Sequence, residues 1–287
     1  MNDDPVIPPA ASGVSPASGQ ARRRRFPRVP LRYVLPNLVT LLGLCLGLTA
    51  IRFAFEERYE MAVYAIVAAA VVDGLDGRIA RALKGTSRFG AELDSLADFI
   101  DFGVAPAILL YFWSLNEIKS FGWFAALVYA VACALRLARF NVALEDKEKP
   151  LWQADFFTGM PSPAGAITVM LPIYLHLSVL DLPPNRWLVA VEILYVLAIA
   201  FLMISSIPHF AGKKLGRVPR DKFVIVLFGV IFAILLLVTS TMEVLAVLAL
   251  ANLALIPFAI RKYNRLAAED QAQKPGGTGE PGAASTH

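Results

Sequence analysis

The sequence predicts an all-α membrane protein, a polytopic bundle of transmembrane helices. Hydrophobic residues make up 57% of the 287-residue chain and charged residues only 17%, which is far from the composition of soluble domains. The mean hydropathy is correspondingly high, at +0.58. Long apolar stretches recur along the chain without the period-two alternation of barrel strands, so the spans are predicted to be helical.

We identify about eight such stretches, each long enough to cross a bilayer. They cover approximately residues 35–55, 59–83, 90–112, 121–142, 162–180, 186–207, 222–240 and 242–261. We expect a disordered basic N-terminal tail over residues 1–30 and a disordered C-terminal tail over 266–287, because their compositions cannot bury a core. Between the tails we expect a six-span unit over 31–210 and two additional spans over 211–265.

Basic residues predict the orientation of the bundle, because Lys and Arg are enriched in cytoplasmic loops. If the N-terminus is cytoplasmic, only four of the 27 basic residues lie on the outer side: Arg52, Arg58, Lys119 and Arg186. We therefore predict that both termini are cytoplasmic and that the chain is integral to the inner, cytoplasmic membrane. The cluster Arg22–Arg25 either attracts anionic lipids or sets this topology.

Two successive spans break the rule that charged side chains avoid the membrane. At about 100° per residue, each places its polar residues on a single helix face. The face of the second span comprises Asp73, Asp76, Gly77, Ala80 and Arg81. The face of the third span comprises Gly90, Asp94, Asp98 and Asp101. The loop between the spans is short, so the helices are predicted to be antiparallel neighbours with their carboxylates at the same depth.

Carboxylates facing one another at one depth repel unless cations lie between them. Their oxygens suit Mg²⁺, Mn²⁺ or Ca²⁺, and two such ions about 4 Å apart are a common device for displacement at phosphorus. The constellation has no His or Cys, which argues against zinc. Two other interpretations are buried ion pairs that pin the helices together, and the carboxylate relay of a cation or proton transporter. A relay would favour the bilayer midplane, whereas these acids lie at the cytoplasmic ends.

The pattern Asp73-x2-Asp76-Gly77-x2-Ala80-Arg81-x8-Gly90-x3-Asp94-x3-Asp98 resembles the signature of the CDP-alcohol phosphatidyltransferases. Members of that family are integral membrane enzymes that use two divalent metals to transfer a phosphatidyl or related group from a CDP-linked donor to an alcohol. Further stretches resemble members that use serine: PNLVTLLGLCLG (36–47), SLADFIDFGVAPA (95–107), ALRLARFN (134–141) and FTGMPSPAGA (157–166). The resemblance covers about residues 33–210, so residues 31–210 are expected to form the catalytic domain.

The resemblance implies roles for the residues of the motif. Two divalent cations, Mg²⁺ or Mn²⁺ with Ca²⁺ also suited to one site, would be held by Asp73, Asp76, Asp94 and Asp98. Asp98 would also act as general base. The nucleotide and phosphate site would comprise Asn37, Thr40, Gly77, Ala80, Arg81 and Gly90. For Asn37 and Thr40, which lie at the start of the first predicted span, a helix N-cap is an equal alternative.

The implied reaction transfers a phosphatidyl group from CDP-diacylglycerol to L-serine, giving phosphatidylserine and CMP at a site facing the cytoplasm. Asp101 stands where a small polar residue is expected; it would pair with the serine ammonium, support a metal ligand or bond a neighbouring helix. Arg136 and Arg139 either bind the serine carboxylate or a donor phosphate, or anchor their span.

Other acceptors remain open at this point, namely glycerol phosphate, inositol phosphate or choline, as does a metal-coupled transporter. The implied partners are the two substrates, membrane lipids and a second copy of the chain in a homodimer. No nucleic-acid partner is expected.

Overall fold

The prediction of an all-α membrane protein is confirmed. The computed structural model describes residues 31–83, 85, 87–145, 156–178, 186–210 and 223–273. Its helices are α1 (Leu31–Phe55), α2 (Tyr59–Ala82), α3 (Arg88–Asp98), α4 (Ala105–Trp113), α5 (Lys119–Glu145), α6 (Ser162–Val169), α7 (Leu171–Ser178), α8 (Arg186–Ile204), α9 (Phe223–Thr239) and α10 (Thr241–Gln273). A π-helical turn (Phe99–Val104) joins α3 to α4, and a 3₁₀ turn (Leu115–Ile118) precedes α5.

Five segments of the described chain are long and apolar enough to cross a membrane. They are Val34–Phe55, Arg88–Trp113, Leu115–Ala143, Arg186–Ile204 and Thr241–Asp270. The three other predicted spans correspond to α2, to α6 and α7 together, and to α9, which has 17 residues. Two of these differ from the five candidate spans in a visible way. Helix α2 carries charged residues, among them Asp73, Asp76 and Arg81, and a break at Met170 divides α6 from α7. A total of eight spans therefore stays a prediction.

The ends of the bundle differ in part from the expected tails. Residues 1–30 lie outside the described residues. Helix α10 continues without a break to Gln273, so residues 266–273, which we expected in a disordered C-terminal tail, are helical. Residues 274–287 lie outside the described part of the chain.

Helix α1 packs along α2 and also contacts α3, the π turn and α4. Small residues make the close approach to α2 possible, because alanine side chains let helix backbones meet. Five alanines on these two helices are buried: Ala50, Ala54, Ala62, Ala65 and Ala69. Helix α1 thus lies against both helices that carry the acidic motif.

The π turn interrupts the third predicted span directly after Asp98. A π turn widens the helix and shifts the register of the residues that follow it. The fully buried Tyr129 of α5 donates a hydrogen bond from its hydroxyl to the carbonyl oxygen of Phe102 (2.9 Å). A Cβ added to Gly103 would lie 3.1 Å from Cβ and Sγ of Cys133, so α5 packs closely against the turn.

Two short strands, β1 (Phe156–Thr158) and β2 (Pro208–Phe210), form an antiparallel pair between the helices. After β1 the chain turns at Gly159, whose φ of +80° favours glycine. A Cβ at Gly159 would also lie 2.6 Å from the carbonyl oxygen of Met203. The segment that leads into α6 is thereby held against the end of α8.

Candidate active site

The acids of α2 and α3 come together at the cytoplasmic ends that the predicted topology gives these helices. Asp73, Asp76 and Asp94 each offer a carboxylate oxygen, and these oxygens lie within 4.8 Å of one another. Asp98 lies one turn further along α3, and its carboxyl is within hydrogen-bonding reach of Asp73. An all-oxygen donor set of converging carboxylates suits a hard divalent cation, which would offset their mutual repulsion.

Thr40 of α1 orients one of these carboxylates. Its hydroxyl lies 2.8 Å from Oδ2 of Asp76, to which it donates, and 3.2 Å from the carbonyl oxygen of Pro36. Both Thr40 and Asp76 are buried. Because α1 begins at Leu31, Thr40 and Asn37 lie inside the helix, and the alternative interpretation of these residues as N-caps is wrong.

An open cleft of about 190 Å³ adjoins the acids. The first turns of α1, the end of α2 and the start of α3 form its walls. It brings together all six residues that the resemblance assigned to nucleotide and phosphate: Asn37, Thr40, Gly77, Ala80, Arg81 and Gly90. Asp76 and Asp94 also line it, so the cleft opens directly onto the acidic cluster.

Gly90 is required by the close approach of α1 to α3 at this cleft. A Cβ at Gly90 would lie 2.8 Å from Oδ1 of Asn37 and 3.1 Å from Oγ of Ser87. Ser87 itself is a cleft residue that our sequence reasoning missed. It is the N-cap of α3 and accepts a hydrogen bond from the backbone N–H of Gly90 (3.0 Å). A serine directly before a helix is a recognisable N-cap signal, and it was available in the sequence.

Asp101 is buried against α1 and does not line the cleft. A Cβ on Gly47 would overlap Oδ1 of Asp101 and would lie 2.9 Å from its Cγ and 3.1 Å from its Cα. Oδ1 has no hydrogen-bond partner among the described residues. Its carboxylate also interacts electrostatically with Asp73. Asp101 therefore packs against α1 at Gly47, immediately beside the acidic cluster.

Arg136 and Arg139 are three residues apart on α5 but have different partners. Arg136 is buried, donates from Nη1 to Oγ of Ser162 (3.0 Å), and interacts electrostatically with Asp98. Arg139 donates to the carbonyl oxygen of Ile204 (2.8 Å) and to Oγ of Ser206 (3.0 Å). Arg139 thus binds the C-terminal end of α8, where a cation is favourable. Of these two arginines, only Arg136 lies near the acidic cluster.

Comparison with known proteins accounts for the arrangement of the acids and the cleft. The model of the family described as CDP-alcohol phosphatidyltransferase matches residues 33–204. The chain belongs to this family. All eight positions of its signature lie on α2 and α3, at the acidic cluster and the cleft. Membership makes the protein a membrane transferase, and the carboxylate cluster fits the divalent metals that CDP-alcohol phosphatidyltransferases use.

Similar family members are named CDP-diacylglycerol–serine O-phosphatidyltransferase. The chain is 40% identical to the one from Mycobacterium leprae over 251 residues, which is 87% of this chain and 82% of the relative. It is 36% identical to the one from Helicobacter pylori over 182 residues, 63% of this chain and 74% of the relative. It is 33% identical to the one from Bacillus subtilis over 178 residues, 61% of this chain and 90% of the relative.

Proposed function

We propose that the protein transfers a phosphatidyl group from CDP-diacylglycerol to the hydroxyl of L-serine, releasing CMP and forming phosphatidylserine. The observation that carries the chemistry is the cluster of carboxylate oxygens within 4.8 Å of one another, beside a cleft lined by small residues. The choice of serine is supported by the relatives named CDP-diacylglycerol–serine O-phosphatidyltransferase, which are 33–40% identical to this chain.

The cleft would bind the cytidine and diphosphate of the donor. Gly77, Ala80 and Gly90 keep side-chain volume low where the nucleotide enters, and a group of this size needs that room. Arg81 lies over Gly77, with its guanidinium nitrogens 3.8 and 3.9 Å from the position of an added Cβ. Its positive charge would pair with the diphosphate. The acyl chains would remain in the surrounding lipid.

Two divalent cations, Mg²⁺ or Mn²⁺, would be held by Asp73, Asp76, Asp94 and Asp98. When bound, divalent cations neutralise charge on the attacked and leaving phosphate oxygens. Thr40 supports this site from α1, because its hydrogen bond keeps Asp76 in one orientation.

Asp98 would serve as the general base. The serine hydroxyl is protonated at neutral pH, so a carboxylate must accept its proton as the new bond from serine oxygen to phosphorus forms. The bond from phosphorus to the CMP oxygen breaks in the same displacement, and CMP carries away that electron pair. Asp98 suits this role by position, because it lies next to Asp73 of the proposed metal site and near Arg136, the proposed substrate-binding residue.

Arg136 would bind an anionic group of a substrate, either the serine carboxylate or a donor phosphate. Its burial strengthens such an interaction, and Ser162 holds one of its donor nitrogens in place. Arg139 would support the end of α8 rather than contact a substrate. Asp101 would act by packing the π turn against α1.

We further propose that the protein lies in the inner membrane as a homodimer of eight-span subunits. The catalytic domain would comprise residues 31–210, followed by two more spans, with both termini and the active site facing the cytoplasm. The excess of basic residues on the predicted inner side supports this orientation. A Thr86→Cys variant should react with a membrane-impermeant thiol reagent only from the cytoplasmic side, and labelling only from outside would contradict the topology.

The decisive test is an assay of the purified protein with CDP-diacylglycerol, Mn²⁺ or Mg²⁺ and a panel of alcohols, scored by CMP release. Serine should support release, and phosphatidylserine should accumulate in equal amount. Release with glycerol phosphate, inositol phosphate or choline, and not with serine, would support the proposed phosphatidyl transfer but refute serine as the acceptor. No release with any alcohol would refute the proposed activity.

A further inference from the structure

Helix α10 lies beyond residue 204, where the match to the family model ends, yet it packs against α6, α7 and β2. We infer that α10 is a positioning element of the active site. Through Asn252 and Tyr263 it holds both ends of the segment 156–168, so that Ser162 meets Arg136. This inference rests on the proposed role of Arg136 in binding a substrate anion.

The first contact joins α10 to α6. Asn252 donates a hydrogen bond from Nδ2 to Oγ1 of Thr168 (2.8 Å), and Thr168 is fully buried. The same hydroxyl donates to the carbonyl oxygen of Ala164 (2.7 Å), one turn earlier in α6. The hydroxyl of Tyr195 in α8 donates to the carbonyl oxygen of Thr168. One residue of α6 is therefore bound to α8 on one side and to α10 on the other.

The second contact joins the cytoplasmic part of α10 to β1. The ring of Tyr263 meets the ring of Phe156 edge-on, with centroids 5.5 Å apart and planes at 88°. Phe156 is also paired with Phe210 of β2. From β1 the chain runs through the tight turn at Gly159 directly into α6. The segment that precedes α6 therefore also contacts α10.

The segment between these two contacts carries the hydrogen-bond acceptor for Arg136. Ser162 is the first residue of α6 and is fully buried, and its Oγ accepts from Nη1 of Arg136. Arg136 in turn interacts electrostatically with Asp98, the proposed base. Because binding of an anion by a guanidinium depends on its orientation, a shift of α6 would weaken binding without removing any group that touches substrate.

The test compares Asn252→Leu with Val247→Ala in the full-length protein. Leucine has a similar volume but cannot donate to Thr168, whereas Val247 is 65% exposed on the same helix and serves as the control. An Arg136→Lys variant first identifies the substrate whose KM depends on Arg136. Asn252→Leu loses an interhelical hydrogen bond within the membrane. The KM for the substrate identified with Arg136→Lys should therefore rise about threefold, and by less than about twentyfold.

Thr168→Val removes the same hydrogen bond from the α6 side and should raise the same KM, so the comparison survives if one variant fails to fold. The double variant should be no worse than the more affected single variant, because both remove one interaction. If Asn252→Leu lowers thermal stability but leaves both KM values at those of the control, α10 only stabilises the bundle and the inference is wrong.

A second measurement does not depend on turnover. The chain has two cysteines, Cys45, which is exposed, and Cys133, which is buried within hydrogen-bonding reach of Ser162. In a Cys45→Ala background, N-ethylmaleimide should modify Cys133 faster when Asn252 is leucine than when Val247 is alanine. Equal rates would overturn the inference. If the enzyme uses an alcohol other than serine, the KM comparison is made with that alcohol. The rate of Cys133 modification does not depend on which alcohol is the acceptor.

Discussion

Gly47→Ala should destabilise the protein through its contact with Asp101. The added methyl group would overlap Oδ1 of Asp101 and lie 2.9 Å from Cγ and 3.1 Å from Cα. Asp101 is buried, so its side chain has little room to rotate away from the first two contacts, and the third contact is to the backbone of the π turn. Helix α1 or the turn must therefore move by a few tenths of an ångström. Overpacking of this kind costs about 1–3 kcal/mol.

The assay is thermal unfolding of the purified protein in detergent, followed by CMP release for each variant. The expected destabilisation corresponds to a decrease of about 3–10 °C in the apparent Tm for a protein of this size. Gly229→Ala in α9 is the matched control, because its Cβ would meet no described atom within 4 Å. Alanine also has the higher helix propensity, so the control should not be less stable than the original protein.

A second variant isolates the cause. Asp101→Ala removes Oδ1 and Cγ from the contact, so Gly47→Ala combined with Asp101→Ala should regain most of the lost stability, leaving only the contact to Cα. An unchanged Tm in Gly47→Ala, or no recovery in the double variant, would refute the packing of Asp101 on α1. Asp101→Ala alone should leave the KM for serine unchanged, and a selective rise in that KM would instead support a contact with the serine ammonium.

Three further predictions concern the chemistry. Excess chelator should abolish CMP release and added Mg²⁺ or Mn²⁺ should restore it, whereas full turnover in chelator would exclude the two-metal proposal. Asp98→Asn should lower kcat by about 10²- to 10⁴-fold, because an amide cannot accept the serine proton. Near-normal turnover would show that another group is the general base. Thr40→Val should raise the metal concentration needed for half-maximal activity by about 10- to 100-fold, since it releases Asp76. Thr49→Val on the same helix, whose hydroxyl bonds only the carbonyl oxygen of Cys45 among the described atoms, should leave it unchanged.

Much of the acidic site could be predicted because it is encoded locally. Asp73 and Asp76 are one turn apart on α2, and Asp94 and Asp98 are one turn apart on α3, so a regular helix places each pair on one face. The loop between the helices is too short for any pairing other than an antiparallel one, which brings the two faces together. Helix periodicity and loop length were sufficient for this inference.

Regular periodicity alone could not decide among the three roles that the sequence left open for Asp101. A continuous α-helix would place it on the face of Asp94 and Asp98, but the π turn begins at Phe99 and alters the register. The partner of Asp101 is Gly47, more than 50 residues earlier in the chain. For Asn37 and Thr40 only the N-cap alternative was wrong, because α1 begins at Leu31, before the apolar stretch starts. Apolar length predicts where a helix enters the membrane, not where it begins.

The amino-acid sequence by itself determined the membrane class, the helical character of the spans and the two acidic faces, since composition and periodicity act over a few turns of one helix. Only the tertiary structure decided which residues support those faces. Thr40 bonds Asp76 across 36 residues, Arg136 bonds Ser162 across 26, and Asn252 bonds Thr168 across 84. Such contacts depend on how whole helices pack, and packing is set by the combined shape of many side chains that no local pattern records.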